Sequence, residues 1–407
     1  MAQTTDPDVL VVGAGAAGLA SAIALAQSGF RVLASGSLDL ASNGRTVALF
    51  EGSLRFLRSL NLWPELRPVA APIESIEMID ATGSRVPIPR LAFRAADVGL
   101  PALGANIETD KLVARLAEIA RRTDGIELSS EWLVDIAQGD AHVRATFSSR
   151  RSIDTKLIIA ADGQRSTVRA KARIGTRRWS YPQAALTALT AHEKPHQDRS
   201  IEFHTRNGPC TLVPLKPREG ASHRSSLVWM MSAREAERRR ALPPDSLARE
   251  IGREVDHIFG LMRIDGGTGF FPMMGMQVTR LVARRIALIG EAAHAFPPLA
   301  AQGLNLSLRD IAALVDCLAA ARRRGADIGA PESLRPYAQA RRPDIALRTS
   351  GVDVLNRSLL SDSLPVDLLR GLGSLALSNI APLRRALIME GILPGEISVR
   401  REGALFP

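Results

Sequence analysis

The chain has 407 residues and a net charge of +10, and its hydrophobic and charged fractions, 46% and 23%, are those of a soluble globular protein. This length predicts about two or three domains and enough residues for a large core, and the composition argues against a chain dominated by disorder. The two cysteines, Cys210 and Cys317, lie far apart and form no CxxC pair, which argues against a disulfide framework, a zinc site or a dithiol redox centre.

The basic excess limits the choice of partners. No nucleic-acid-binding motif is present and only 4% of the residues are aromatic, so we expect no nucleic acid. The remaining explanations of the positive charge are an anionic cofactor, an anionic membrane surface, or a basic surface that contacts only solvent. The N-terminus lacks the basic region of a secretory signal, and acidic Asp6 and Asp8 precede the first apolar run. We therefore expect a cytoplasmic protein.

In chain order, residues 9–26 carry no charge and are long enough for a membrane span. Their pattern nevertheless favours a buried strand, a glycine turn and a helix. Residues 30–34 predict a second, parallel strand. Residues 54–62 predict a helix that stops near Pro64.

The next stretch alternates helix and strand patterns. Residues 73–93 alternate in polarity and predict strands joined by a turn at residues 82–83. Residues 110–122 predict a helix capped by Thr109 or Asp110. Leu157–Ala160 is apolar throughout and predicts a buried strand.

The second half begins with β-rich sequence. Residues 181–271 predict strands with one charged helix at residues 233–241. A buried strand at 286–289 and a long helix at 302–321 follow, and the chain after Pro343 is predicted to be helical. Together the elements predict an α/β fold, α+β overall, in which a discontinuous nucleotide-binding domain is interleaved with a β-rich domain.

The first chemical motif is Gly13-x-Gly15-x-x-Gly18, which follows the first strand and opens the first helix, as a dinucleotide-binding fingerprint requires. Gly13 permits a tight turn, Gly15 lets the backbone approach a pyrophosphate, and Gly18 lets the helix pack on the strand. The helix N-terminus would then donate N–H groups to the phosphates. A glycine-rich structural turn is the alternative.

The acid that normally binds the ribose about 20 residues further on is absent. Gly36 stands in its place between Ser35 and Ser37, and Asp39 follows too late. We expect serine hydroxyls or water to replace the carboxylate, and a glutamate at position 36 to tighten nucleotide binding.

Two later motifs lead to a family. Residues 160–169 (AADGQRSTVR) and 289–305 (IGEAAHAFPPLAAQGLN) resemble the DG and GD motifs of single-component flavoprotein hydroxylases of the para-hydroxybenzoate hydroxylase type. Further stretches look like the ubiquinone-biosynthesis hydroxylases of that group, namely residues 43–49, 177–186, 207–215 and 368–391. The resemblance runs from about residue 8 to about residue 394.

This resemblance implies a GxGxxG FAD-binding, Rossmann-like domain with an interleaved β-sheet substrate domain and C-terminal helices. The FAD-binding domain would comprise residues 1–72, 100–176 and 275–343. The β-rich substrate domain would comprise residues 73–99 and 177–274, and the C-terminal helical region residues 344–407.

The resemblance also implies the roles of individual residues. Gly13, Gly15 and Gly18 would face the FAD pyrophosphate, and Arg45 would lie over the cofactor. Asp162 and Gly163 would link flavin binding to nicotinamide access. The remaining implied site residues are Glu291 near the ribityl chain, Gln302, Gly303, Leu304 and Asn305 for the cofactor, and Pro298 and Gln183 for the reaction site.

Gly303 and Leu304 begin the long predicted helix. By the resemblance, their backbone N–H groups would face the flavin pyrimidine oxygen, where the helix dipole stabilises negative charge. Three positions depart from the family pattern, since Glu291 replaces an aspartate, Ala301 replaces a glycine and Gly36 replaces the ribose acid. Weak FAD binding or lost activity is the alternative that these departures raise.

Several polar residues have two interpretations. His294 lies in the GD motif, but we expect it to be a packing or capping residue. Tyr181 and Gln183 fit pocket lining and sheet packing equally well. Arg177 and Arg178 are expected to form a solvated turn rather than a cofactor clamp.

The activity implied by the resemblance is that of an FAD-dependent monooxygenase that hydroxylates a prenylated phenol in ubiquinone biosynthesis with O₂, through a flavin C4a-hydroperoxide. NADPH or NADH would be a transient electron donor, because only one strand–GxGxxG–helix unit is visible. One alternative is a hydroxylase or reductase acting on another aromatic or prenyl substrate. The other is an impaired homologue that serves as a scaffold among other quinone-biosynthesis proteins.

The C-terminal sequence predicts a peripheral membrane contact on the inner face of the membrane. It combines apolar residues with positive charge, as an interfacial helix does. The residues concerned are Val366, Leu368, Leu369, Leu372, Leu375 and Leu377 with Arg370, Arg384 and Arg385. The alternative is that these leucines pack on the FAD-binding domain.

Overall fold

The computed structural model describes residues 6–38, 43–82, 89–205, 208–297, 301–359, 373, 375–377 and 379–393. The strands are β1 (Val9–Val12), β2 (Val32–Ser35), β3 (Thr46–Phe50), β4 (Ala71–Ile73), β5 (Ser75–Asp80), β6 (Leu91–Arg94), β7 (Gly104–Glu108), β8 (Ile126–Ser129), β9 (Leu133–Gln138), β10 (Val143–Phe147), β11 (Ser152–Thr155), β12 (Leu157–Ala160), β13 (Thr176–His192), β14 (Arg199–Thr205), β15 (Gly208–Leu215), β16 (Arg224–Ser232), β17 (Met262–Val278), β18 (Val282–Ala283), β19 (Ile286–Leu288) and β20 (His294–Ala295).

The α-helices are α1 (Ala16–Gln27), α2 (Glu51–Ser59), α3 (Trp63–Leu66), α4 (Thr109–Arg122), α5 (Thr167–Lys171), α6 (Ala233–Arg240), α7 (Pro244–Glu254), α8 (Gln302–Arg323), α9 (Pro331–Leu359) and α10 (Ala381–Ile392). Among the described residues, no helix combines the length and the apolar character that crossing a bilayer requires.

The first layer is a largely parallel sheet in the order β18-β19-β12-β1-β2-β8. The central strand β1 pairs in parallel with β2 and with β12, and β12 pairs in parallel with β19. These four strands are buried along their whole length. Apolar runs of this kind are typical of parallel strands covered on both faces, here by helices such as α1, which packs against α4 and α8.

The second layer is a mixed sheet in the order β20-β17-β13-β16-β15-β14-β5-β6. One face, with Leu186 and Trp229, is covered by Leu247 and Ile251 of α7. The opposite face carries Ala185, Met230 and Met273, which pack with Val352 of α9. The mixed α/β architecture confirms the predicted fold class. The exact domain boundaries stay predictions.

Several predicted element bounds were wrong. Helix α2 begins at Glu51 and ends at Ser59, and Pro64 does not stop it but lies in the first turn of α3. Proline is tolerated there because a first-turn N–H has no helical partner. Helix α4 has Glu108 as its N-cap without a side-chain cap hydrogen bond, so neither Thr109 nor Asp110 is the cap.

Helix α7 lies in a stretch that we predicted to contain strands. It has a proline in its first turn and buries Leu247, Ala248 and Ile251 along one face. The i, i+1, i+4 spacing of these apolar residues is helical, so the sequence did contain the signal. The charged helix α6, in contrast, was predicted correctly.

Candidate active site

The glycine motif forms the turn between β1 and α1. Gly13 has a φ of +114°, and a Cβ there would overlap the carbonyl oxygen of Ala161. A Cβ on Gly18 would overlap the Gly13 carbonyl, whereas a Cβ on Gly15 would meet no atom within 4 Å. Gly15 is also the N-cap of α1 and provides no side-chain cap. Open space therefore lies at a helix N-terminus, where the dipole and N–H groups favour an anion.

The DG motif follows β12 directly beside the glycine turn. Asp162 Oδ2 accepts a hydrogen bond from the Val168 N–H at 3.1 Å. Its Oδ1 is buried and has no partner among the described residues. Burial raises the pKa of the Asp162 carboxyl above its ordinary value, although hydrogen bonds from Ser166 and Val168 act against the rise. Gly163 has a φ of +75° and its missing side chain would face open space.

The GD motif brings a third loop to the same place. A Cβ on Gly290 would lie 3.7 Å from the Cβ of Ala17 in α1. Glu291 is half exposed, and its Oε1 lies 3.8 Å from Arg45 Nη2. The Arg45 guanidinium also lies over the Phe271 ring, 5.5 Å from the ring centroid. Arg45 and Glu291, both predicted from the resemblance, are thus brought together.

Helix α8 begins at the end of the GD motif. Its N-cap, Ala301, has a φ of +50° and provides no side-chain cap. Glycine adopts this left-handed conformation more readily than alanine, so the departure at position 301 carries backbone strain. A Cβ on Gly303 would meet no atom within 4 Å. Gln302 is buried, and Leu304 is partly buried against the main core.

Asn305 joins α8 to β3 and α2. Its Oδ1 accepts hydrogen bonds from the Phe50 N–H at 2.9 Å and from Ser53 Oγ at 2.6 Å. Its Nδ2 donates to the carbonyl oxygens of Ala48 at 2.8 Å and Ala301 at 2.6 Å. The side chain therefore uses its hydrogen-bonding capacity within the protein, and a cofactor would meet only its backbone.

Arg169 connects the DG and GD motifs, a role that we did not predict. Its Nη1 donates to the Ala292 carbonyl at 2.7 Å and its Nη2 to the Gln164 carbonyl at 2.6 Å. The side chain is buried. Arg169 is the last residue of the DG motif and lies on a short helix, but this position in the sequence does not reveal that its partner is the GD motif.

His294 belongs to a buried charge cluster. Its Nε2 lies 2.7 Å from Asp310 Oδ2, which also accepts a hydrogen bond from the Gly290 N–H at 3.0 Å. Asp310 Oδ1 accepts from Arg341 Nε at 2.8 Å. Burial opposes the charge of Asp310, but His294 and Arg341 outweigh it and hold the pKa of this carboxyl below its ordinary value. This cluster fixes the GD loop on α8 and α9.

Gly36 lies at the end of β2 beside the glycine turn. Its φ is +153°, and a Cβ there would lie 2.7 Å from the backbone nitrogen of Ala14. A glutamate at position 36 would therefore displace the turn, which contradicts our expectation that it would tighten nucleotide binding. Ser35 Oγ donates to the Glu131 carbonyl, so this hydroxyl is already engaged.

The predicted reaction-site residues are only partly described. Pro298 lies outside the described residues. Gln183 is buried, and its Oε1 accepts a hydrogen bond from Asn356 Nδ2 at 3.0 Å. Tyr181 donates to Asp353 Oδ1 at 2.7 Å. Both side chains lie on the face of the mixed sheet that packs against α9.

The arrangement fits a bound dinucleotide such as FAD. Open space at Gly15, Gly163 and Gly303 leaves room for backbone contact, and the buried Asp162 Oδ1 can accept a hydrogen bond. In the part of the chain that the structure describes, no group of three or more His, Cys, Asp or Glu side chains could hold a metal ion.

Comparisons with known proteins agree with this geometry. The family model described as "FAD binding domain" matches residues 6–348. Ubiquinone hydroxylase UbiL of Rhodospirillum rubrum is 34% identical over 385 residues, covering 93% of this chain and 87% of the relative. The 3-demethoxyubiquinol 3-hydroxylase of Escherichia coli is 28% identical over 393 residues, covering 94% of this chain and 98% of the relative.

Solved structures show the same fold. The crystal structure of p-nitrophenol 4-monooxygenase PnpA from Pseudomonas putida aligns with a TM-score of 0.78 at 18% identity, over 96% of this chain and 98% of that chain. From the family model and the relatives, the chain belongs to the FAD-binding-domain family and, within it, to the FAD-dependent hydroxylases of ubiquinone biosynthesis.

Proposed function

We propose that the protein hydroxylates the aromatic ring of a prenylated phenol in ubiquinone biosynthesis, with O₂, bound FAD and NADPH or NADH as a transient electron donor. The observation that carries the proposal is that the glycine turn, the DG motif and the GD motif meet: a Cβ on Gly13 would overlap the Ala161 carbonyl, and a Cβ on Gly290 would lie 3.7 Å from the Cβ of Ala17. The relatives suggest the substrate class, because they are named as hydroxylases of ubiquinone and of 3-demethoxyubiquinol.

In this proposal the N-terminus of α1 binds the pyrophosphate at Gly15. Arg45 and Glu291, which lie 3.8 Å apart, flank the middle of the cofactor. The backbone N–H groups of Gly303 and Leu304 would bind the flavin ring, and the dipole of α8 would stabilise negative charge there. FAD, when bound, supplies the electron transfer and the oxygen activation.

The mixed sheet would provide a dry wall for the aromatic ring. Ala185, Met230 and Met273 form a buried apolar patch, against which Phe296 of the GD loop packs. An apolar wall excludes water from the reacting ring and strengthens polar contacts inside the site. Asp162 and Gly163 of the DG motif would border the approach of the nicotinamide.

We also propose that the protein binds peripherally to an anionic membrane surface, since a prenylated substrate is lipid-resident. Val366, Leu368, Leu369, Arg370 and Leu372, on which this prediction partly rests, lie outside the described residues. Helix α10 supports the proposal. Ile388 and Ile392 are buried against residues 95–103, whereas Leu383 and Leu387 are 46% and 47% exposed. An apolar face left open to solvent, near basic residues such as Arg385, is typical of a helix that lies on a bilayer.

The activity can be tested with purified protein containing FAD, a short prenylated phenol, NADPH and ¹⁸O₂. We expect a product that carries one ¹⁸O atom on the ring and forms only when the phenol is present. In a strain lacking this chain, mass spectrometry should show an accumulated quinone precursor that lacks one ring hydroxyl, and wild-type protein should remove it.

The matched control is Gly15→Val, which we expect to restore neither reaction because its side chain would occupy the proposed pyrophosphate position. A product that gains hydrogen without ¹⁸O would identify a reductase instead. Normal quinone precursors in the deletion strain, together with no turnover in vitro, would contradict the proposal.

A further inference from the structure

Two amide side chains are in contact on the face of the mixed sheet that packs against α9. Gln183 of β13 is 4% exposed and Asn356 of α9 is completely buried. Asn356 Nδ2 donates to Gln183 Oε1 at 3.0 Å, but Asn356 Oδ1 has no hydrogen-bond partner among the described residues. A buried acceptor is therefore left without a donor.

Helix α9 holds this pair in a fixed position. Val352, one turn before Asn356, packs with Ala185 and Met230 of the sheet. Asp353 accepts the hydrogen bond of the Tyr181 hydroxyl at 2.7 Å. Apolar contacts and two polar pairs thus fix the last described part of α9 on β13.

The same face of the mixed sheet extends to the loop that carries Asn43 and Arg45. Thr187, four residues along β13 from Gln183, donates its hydroxyl to the Asn43 carbonyl at 2.8 Å. Ala185 pairs with Phe271 of β17, whose ring lies under Arg45. At about 3.3 Å per residue, the amide pair lies roughly 13 Å along the strand from the arginine-bearing loop.

The strand is irregular at this point. The pairing of β13 with β17 shifts register between Ser180 and Ala184. Such shifts commonly occur next to active sites, where they change the direction of a side chain. Here the irregular segment contains Tyr181 and Gln183, the two residues that contact α9.

An unpaired buried acceptor is costly, so a ligand that supplies a donor gains affinity at this position. A phenol hydroxyl is such a donor, and its ring would pack at the edge of the apolar cluster of Ala185, Met230 and Met273, beside the partly buried Tyr181 and Phe296. Resting on the proposed function, we propose that the amide pair binds the phenolic hydroxyl of the substrate, with Asn356 Oδ1 as the acceptor.

The amide pair therefore determines specificity for a free hydroxyl. A methyl ether at the same ring position cannot donate, and it adds a methyl group where the acceptor lies. A buried water molecule would also satisfy Asn356 Oδ1, but it would not distinguish a phenol from its methyl ether. That difference makes the proposal testable with the wild-type protein alone.

The probes are 2-(3-methylbut-2-enyl)phenol and its methyl ether, titrated into the FAD-bound protein while the flavin absorbance is followed. We expect the phenol to bind at least about tenfold more tightly, which is the effect of one buried hydrogen bond. If the methyl ether binds as tightly as the phenol, the proposal is wrong. A wild-type protein that neither binds nor hydroxylates any phenol overturns the proposed function as well.

The variant arm uses Asn356→Leu, which keeps the side-chain size but removes the acceptor. We expect it to lose the roughly tenfold preference for the phenol while retaining FAD. The matched control is Thr349→Val on the same helix, whose hydroxyl bonds only the Ile345 carbonyl, and which should keep the preference. An Asn356→Leu protein that binds FAD and still prefers the phenol overturns the proposal.

Discussion

Gly15 and Gly18 belong to one motif, Gly15 as the N-cap of α1 and Gly18 in its first turn, yet a side chain would meet opposite surroundings at each. At Gly15 a Cβ meets nothing within 4 Å, whereas at Gly18 it overlaps the Gly13 carbonyl. We expect Gly15→Val to fold with an unchanged melting temperature of the apoprotein but to lose FAD on gel filtration. Gly18→Val should instead lose its cooperative unfolding transition. Full flavin retention by Gly15→Val would contradict the assignment of this loop.

The two roles were predictable because a strand, three glycines at fixed spacing and a helix form a local unit. Asn356 was not predictable, since its partner Gln183 is 173 residues away and no local pattern reports such a pairing. Gly36 was misjudged for a related reason. Its missing side chain faces the Ala14 backbone, and that approach is set by the turn between other elements.

Helix α9 shows that long-range contacts also limit the prediction of a whole element from its local sequence. It runs through Pro336 and Pro343, although an interior proline removes a helical hydrogen bond. Next to Pro343, Arg341 donates to Asp310 of α8 at 2.8 Å and to Asp344 at 2.6 Å. One of these partners, Asp310, lies on another helix. The sequence of α9 alone therefore predicts that the helix is interrupted at its prolines, whereas in the folded protein the helix is continuous.

Helix α10 carries the prediction of membrane association. Replacing Leu383 and Leu387 by glutamine should lower co-sedimentation with phosphatidylglycerol vesicles at least about tenfold, because each buried leucine contributes about 1.5–3 kcal/mol. Binding should also weaken with salt. Leu261→Gln is the matched control, since Leu261, the residue before β17, is 71% exposed but lies outside the C-terminal region.

If the wild-type protein does not bind anionic vesicles at low salt, the exposed apolar face of α10 contacts something other than lipid. Charge reversal of Arg384 is a poor test, because its Nε lies 3.5 Å from Asp97 and reversal would disturb the docking of α10 itself. Substitution of Leu383 and Leu387 avoids this difficulty.

For the whole molecule, the pH dependence of stability should depend on His192. Burial lowers its pKa from the usual 6.5 to about 4, and His196 and His223 act in the same direction. The unfolded chain therefore takes up the proton first as the pH falls. The stability tied to neutral His192 is complete above pH 6.5 and is lost between pH 6.5 and about 4.

Urea unfolding at pH 7.5 and pH 5 measures this effect. We expect His192→Gln to reduce the difference between the two free energies of unfolding by up to about 2 kcal/mol. Thr190→Val, which removes a buried hydroxyl of β13 that donates to the Ser225 carbonyl at 2.9 Å but no titratable group, should leave that difference unchanged. Equal pH dependence in wild-type and His192→Gln protein would show that another group controls acid unfolding.

The parallel sheet has a consequence for synthesis on the ribosome. Strand β1 ends at residue 12, but β12 and β19, which complete its neighbourhood, end at residues 160 and 288. At about 5–20 residues per second, roughly 15–55 s separate the emergence of the first and last of these strands. Throughout that interval the nascent chain carries an apolar strand with an open edge. The cofactor site cannot be complete before the GD motif, residues 289–305, has been synthesised, and any delay prolongs the exposure of this apolar edge.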